Sequence, residues 1–248
     1  MDAYTVRPSA STTPSIAVST TRSSIPEINP QFLKSAAQEL SNPITTIKTA
    51  LTLLNSSTLK PKQRERYLQI IGQACNQQSH LISGVFELLE LQLTPQATEF
   101  EKIQLRDLIP GVISTYQPLA KESNILLAYT VSNHLPPILA IESHLKQVLI
   151  NLVSNSIQST DAGGRIWVKA HQRGDGKIAV VIQNNGHGVT STVIPQVFDS
   201  FYRSTSESSG LGLALVQELL AHCGATISVS SASGKGTAFT ILLVTAPD

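Results

Sequence analysis

The chain has 248 residues, 41% of them hydrophobic, enough for one large domain or two modest ones around a real core. Its net charge of +1 supplies no global field for nucleic acid or a membrane surface, and charged residues reach only 14%, against roughly 25% in typical soluble domains. No apolar run is long enough to span a membrane and no N-terminal basic-then-apolar segment reads as a signal peptide, so a cytoplasmic location is expected. Cys75 and Cys223 stand far apart without a CxxC or histidine-rich neighbourhood, and are expected to be buried, reduced thiols.

Residues 1–28 are rich in Ser, Thr and Pro, have little to bury, and are expected to form a disordered leader. The pattern changes at Leu33. Leu33, Ala37, Leu40, Ile44, Ile47, Leu51 and Leu54 recur at alternating spacings of four and three, the heptad seam of one long helix. Pro43 inside it should kink the helix or loosen one turn. Asn55-Ser-Ser-Thr ends it, and Pro61 suits the first turn of a second helix. There Tyr67, Ile71, Ala74, Gln78, Leu81, Val85 and Leu88 keep the alternation, and Leu68, Cys75, Ile82 and Leu89 form a second stripe. A lone pair of helices cannot cover that much apolar surface. Residues 29–95 therefore predict a helical hairpin that pairs with a second copy as a dimeric four-helix bundle.

Leu93-Thr-Pro-Gln-Ala-Thr reads as a linker, after which helical and strand patterns alternate over 100–248. Helices are expected near 106–121, 143–159 and 210–222, with strands near 125–131, 137–140, 165–170, 178–183, 226–230 and 238–244. Gly-Asp-Gly around Asp175 and Gly234-Lys-Gly236 read as hairpin turns. The class is α+β: the hairpin, then a two-layer α/β sandwich with a mixed, mostly antiparallel sheet and helices on one face.

Three segments of the sandwich point to a nucleotide. Asn151 and Asn155 are i and i+4 on one face of an otherwise core-seeking helix. An amide oxygen there, Asn155 in particular, could hold Mg²⁺ beside substrate phosphates, and a hydrogen-bonded polar seam explains the pair equally well. Asn184-Asn-Gly-His-Gly188 follows an apolar strand, and its glycines allow the backbone to turn tightly against a ligand, with Asn184 able to accept from or donate to a purine edge; an ordinary surface turn is the competing reading. Gly210-Leu-Gly-Leu213 opens a helix whose first unpaired N–H groups suit a phosphate. Between Arg203 and Gly210 a polar Ser-Thr-Ser-Glu-Ser-Ser loop is suited to be a lid, and Arg203 either reaches a phosphate or is an exposed surface arginine. His187 between the glycines is expected to be exposed.

In this order and spacing the segments, with the hairpin, resemble the transmitter region of two-component sensor histidine kinases, and the sandwich resembles the ATP-binding domain those kinases share with gyrase and the Hsp90 chaperones. Gln147 to Asn155 resembles the family's N box, Val181 to Val189 its first glycine box, Val197 to Arg203 its F box, and Gly210 to Ala214 its second glycine box. The resemblance implies ATP and Mg²⁺ as cofactors, with Asn151, Asn155, Asn184, Gly186, Gly188, Arg203, Gly210, Leu211 and Gly212 at the nucleotide. It implies dimerisation and a response regulator as partner.

The resemblance breaks where the chemistry should be. Ala37 to Pro43 falls on the family's phosphoacceptor box, and Gln38 occupies the histidine position. A carboxamide nitrogen has a delocalised lone pair and cannot attack a γ-phosphorus as imidazole can. Self-phosphorylation at this box is therefore not expected, and His80, the one histidine of the hairpin, lacks the adjacent acid of the family box. Asn184 stands where relatives carry an aspartate against adenine, and Ser208 replaces a glycine of the second glycine box, which together predict weakened nucleotide binding. Glu39 and Asn42 keep the acid-x-x-Asn pattern that in relatives supports regulator dephosphorylation, although Asn42 also simply precedes Pro43. The expected function is two-component signalling as a regulator phosphatase or pseudokinase. The alternatives are a kinase acting in trans on a histidine-bearing partner in a heterodimer, and a non-catalytic regulator scaffold.

Overall fold

The computed structural model describes residues 18–19, 30–55, 59–93, 99–202 and 210–247. Two antiparallel helices, α1 (Pro30–Leu54) and α2 (Pro61–Leu93), precede the sandwich. α1 runs unbroken through Pro43, where Thr45 and Thr46 return hydroxyl bonds to the carbonyls of Ser41 and Asn42 at 3.0 and 3.3 Å. Pro61 opens α2, as its fixed φ and missing N–H favour at a first turn.

The face that α1 buries lies one residue away from the predicted heptad. Phe32, Ala36, Pro43 and Ala50 are buried, while Leu33, Ile44 and Leu51 of the expected seam are 52%, 44% and 49% exposed. Two adjacent apolar stripes run along α1. The one with small residues admits close approach of α2, and the one with the larger aliphatics faces out. On α2 the predicted stripe is the buried one, with Ala74, Leu81 and Leu88 inside and Leu68 and Ile82 outside. Cys75 lies on that outer stripe and is exposed, contrary to the expectation of a buried thiol, whereas Cys223 is buried.

In the sandwich, the six-stranded sheet has the order β1-β7-β8-β6-β5-β3, formed by β1 (Val18–Ser19), β3 (Leu126–Val131), β5 (Arg165–Gln172), β6 (Ile178–Asn184), β7 (Thr226–Ala232) and β8 (Gly236–Leu243). Every neighbouring pair is antiparallel except β3–β5. β5 alternates strictly: Ile166, Val168 and Ala170 face the core, and Trp167 on the other face donates its indole N–H to Thr130 at 3.3 Å. α3 (Leu105–Glu122), α4 (Glu142–Gln158) and α5 (Gly212–His222) cover the buried face with Ile109, Ile113, Leu145, Val148, Leu152, Val216 and Leu220.

Two strands depart from expectation. β2 (Glu101–Ile103) has no legible period in Glu-Lys-Ile; it pairs with β4 (Ile138–Ala140) in a small separate sheet, which meets the large one where the Leu139 N–H donates to the Val244 carbonyl at 3.2 Å. β1 falls inside the segment expected to be disordered, because the edge of β7 offers unpaired backbone groups that two extended residues satisfy. The rest of that leader lies outside the described residues.

Candidate functional site

Between β6 and α5 the described residues include a 3-10 turn, Ile194–Gln196, and Val189, Val197 and Tyr202 line a cavity of about 300 Å³. α4 supplies one wall through Gln147, Asn151, Ser154 and Asn155, and β6 and β8 supply the floor through Asn184, Thr237 and Phe239. Gly210, Gly212 and Leu213 stand at the entry to α5. A further wall belongs to the hairpin, where His80, Ser83, Gly84 and Glu87 of α2 face the same space.

The turn after β6 is built for close approach. Gly186 lies so near the end of α4 that a Cβ would run into the Ser159 carbonyl oxygen. Gly188 has φ +63° and faces the Ala232 carbonyl, a second place where no side chain fits. The His187 N–H donates to Ser159 at 3.2 Å, and the His187 carbonyl accepts from the Gly234 N–H at 2.6 Å. The turn is thus fastened between the C-terminus of α4 and the β7–β8 hairpin. The His187 ring is exposed and pairs with Asp161 at 3.1 Å, as its position between the glycines led us to expect.

Asn184 is 2% exposed. Its Oδ1 accepts from the backbone N–H groups of Gly186 at 3.2 Å and Thr237 at 3.1 Å. Its Nδ2 is buried without a partner among the described residues. On α4, the Asn151 Nδ2 donates to the Gln147 carbonyl at 3.1 Å, which turns Oδ1 toward Gly212. Asn155, one helical turn on, is half-buried along the same wall. The arrangement fits a nucleotide. The cavity has the volume of a small-molecule site, an orphaned buried donor waits at its floor, and the amide oxygens of Asn151 and Asn155 suit a Mg²⁺ ion that arrives with phosphates and keeps its waters.

Burial, reinforced by the charge of Glu90, raises the Glu87 carboxyl above its ordinary value, and burial raises the Tyr116 hydroxyl, which also lines the cavity. Under the site, α4 and α5 enclose His144 and Glu218. Burial lowers His144, helped by the neighbouring His222 ring at 5.8 Å, and burial raises Glu218 against the opposite pull of His222. The Glu218–His222 approach of 3.5 Å is an electrostatic pair and not a hydrogen bond, for Glu218 Oε1 lacks a hydrogen-bond partner among the described residues.

Of the residues singled out in the sequence, Asn151, Asn155, Asn184, Gly210 and Gly212 line the cavity. Gly186 and Gly188 shape the turn beneath it without lining it, and Leu211 turns its side chain into the core at 1% exposure. Arg203, Ser208 and the lid segment lie outside the described residues. Gln38 and Asn42 are exposed and Glu39 half-buried on α1, away from the cavity lining. Sequence reasoning did not anticipate Tyr116 or the α2 residues as cavity walls, because a wall formed by a separate element leaves no local motif.

Two family models match the chain: the His Kinase A (phospho-acceptor) domain over residues 29–93, and the histidine kinase-, DNA gyrase B- and HSP90-like ATPase over residues 140–247. The chain is similar to the signal transduction histidine-protein kinase AtoS of Escherichia coli (strain K12), 30% identical over 86% of this chain and 34% of that protein. It is similar to the sensor histidine kinase ZraS of Klebsiella oxytoca at 29% identity, over 84% of this chain and 44% of that protein. It thus spans a third to under half of the length of these relatives. Among solved structures, full-length ShkA in complex with AMPPNP superposes with a TM-score of 0.62 at 25% identity, covering 88% of this chain and 46% of that one. Histidine kinase ThkA in complex with the response regulator TrrA shares the fold with a TM-score of 0.72 at 24% identity, over 88% of this chain and 62% of that one.

Proposed function

Because the chain belongs to the two-component sensor histidine kinase family, with the family's ATP-binding domain, we propose that it is a dimeric signalling protein that cannot phosphorylate itself at the family's acceptor position and acts on a phosphorylated response regulator. The observation that carries this reading is Gln38, exposed on α1 where an acceptor imidazole would need to meet a γ-phosphate. A carboxamide supplies no nucleophile there, so positioning and charge stabilisation in the cavity have nothing to hand the phosphoryl group to.

Asn42 lies one turn further along α1, and Glu39 is its i−3 neighbour. An exposed amide can accept from a water and hold it in line with an aspartyl-phosphate, while the nearby carboxylate orients the amide or the water. Nucleotide binding supplies the phosphates and Mg²⁺ for this family's chemistry. In this chain, Asn151 and Asn155 would hold the metal–phosphate end, and the turn at Gly186 and Gly188 would carry the backbone past the base.

With γ-labelled ATP, wild-type protein is expected to remain unlabelled. With an aspartyl-phosphorylated regulator it is expected to shorten the phosphate's lifetime, and Asn42→Ala to lose that acceleration by roughly 100-fold. Acid-labile label on wild-type α1, or equal acceleration by Asn42→Ala, would sink the proposal. The asparagine pair on α4 favours a second reading, kinase action in trans, for which label would appear on an added histidine-bearing partner.

A further inference from the structure

We infer that the cavity prefers a 6-oxopurine nucleotide, of the guanosine or inosine class, over an adenine nucleotide. The inference rests on reading the cavity as a nucleotide site and concerns which base it takes.

The amide of Asn184 cannot choose its orientation. Two backbone N–H groups, from Gly186 at 3.2 Å and Thr237 at 3.1 Å, converge on one side-chain atom. That atom must be the oxygen, because the flipped amide would set its own N–H groups against two donors. The remaining atom, Nδ2, is therefore a fixed N–H donor. It lies on a residue that is 2% exposed and lines the cavity, and it has no partner among the described residues. A carboxylate here would keep the same two backbone bonds on one oxygen and present its second oxygen as an acceptor. The amide changes that second atom from acceptor to donor.

A base edge that serves an acceptor offers an amino group. Adenine does so at position 6. Set against Asn184 Nδ2, that amino group faces another donor, and both are left unpaired away from water. A 6-oxopurine places a carbonyl oxygen at the same position and accepts from Nδ2.

Thr237 adds to the match. Ser231 Oγ accepts from the Val189 N–H at 2.9 Å and donates to the Gly236 carbonyl at 2.9 Å. Its contact with Thr237 Oγ1 at 2.7 Å then takes the threonine's proton. Thr237, which lines the cavity, keeps a hydroxyl oxygen as acceptor. A donor at Asn184 beside an acceptor at Thr237 complements the O6 acceptor and N1–H donor that neighbour each other on a 6-oxopurine. Adenine offers the opposite order.

Isothermal titration of the full chain with Mg-ITP and Mg-ATP isolates position 6, since the two nucleotides differ there and in the N1 proton it dictates. Wild type is expected to bind ITP roughly ten-fold or more tighter than ATP, the scale of an unpaired buried polar group, with GTP following ITP. Asn184→Asp keeps the two backbone bonds and is expected to reverse the order. ATP binding as tightly as ITP to wild type overturns the inference, as does an order that Asn184→Asp leaves unchanged. ATP binding by Asn184→Asp with neither nucleotide bound by wild type overturns it too, but leaves the cavity a nucleotide site. Binding of no nucleotide by either protein overturns the nucleotide reading itself.

Discussion

His144 is a buried imidazole that faces the His222 ring of the neighbouring helix, and His222 in turn approaches Glu218. Burial and the second ring favour its neutral form, so its folded-state value lies below the ordinary 6.5. The unfolded chain therefore binds the proton more readily. The stability His144 contributes is fully present above pH 6.5 and is lost as pH falls through the folded value. Glu218 has the opposite sign: its raised value gives a contribution that is full below 4.5 and lost as pH rises through the folded value. Between about pH 7.5 and about pH 5.5 the melting temperature of the wild type should fall relative to that of His144→Leu. Parallel melting curves across that interval would remove His144 as the cause. At this scale the sequence was partly legible. The asparagines and glycines announced themselves by spacing, because α4 and the turn after β6 are local structures. The fixing of Asn184 by Thr237 did not, since the two residues are 53 apart and meet only through β6–β8 pairing.

Among the helices and strands, the outward stripe of α1 and α2 is the feature with a consequence for assembly. Leu33, Ile44, Leu51, Leu68, Ile82 and Phe86 are between 41% and 61% exposed along the hairpin. Aliphatics repeated at heptad spacing on one face form an uncovered seam, which a second hairpin would cover in a four-helix bundle. Leu51→Asp would bury a carboxylate in that seam and should shift the protein to monomer in sedimentation at micromolar concentration, while the melting of the sandwich stays unchanged. A wild-type monomer, or a dimer that persists in the variant, would contradict the bundle. The sequence showed both helices by their periods and their prolines. It did not show which of two adjacent stripes on α1 faces α2, because a period locates a face only to within the width of neighbouring stripes, and the small residues Ala36 and Ala50 weigh little in such a reading. β2 escaped because three residues hold less than two full alternations.

Across the whole molecule, the hairpin and the sandwich share one buried cluster, which Phe32, Ala36, Leu81 and Leu88 join from the hairpin side. The Phe32 ring lies 5.3 Å from that of Phe201, and Gly84 of α2 leaves room for Leu211 at the start of α5. A Cβ on Gly84 would come within 3.2 Å of the Leu211 Cβ, so Gly84→Leu has no space unless α2 moves away. The variant should enlarge the radius of gyration in small-angle scattering while leaving helical content intact. An unchanged radius would mean that the junction tolerates the added bulk. No sequence pattern marked this junction, because a glycine on an exposed helix face looks the same whether it meets solvent or another domain.

The α2 wall of the cavity makes occupancy and geometry reciprocal. A ligand that touches both His80 and Asn151 binds more tightly when the hairpin is seated, and it must then hold the hairpin seated by the same factor. A partner that grips the hairpin in its docked position would tighten the ligand without touching it, and one that pulls the hairpin away would release it. The chain need not turn over a phosphate for this to operate. It can act as a gauge, whose affinity for a small molecule records where its two halves stand.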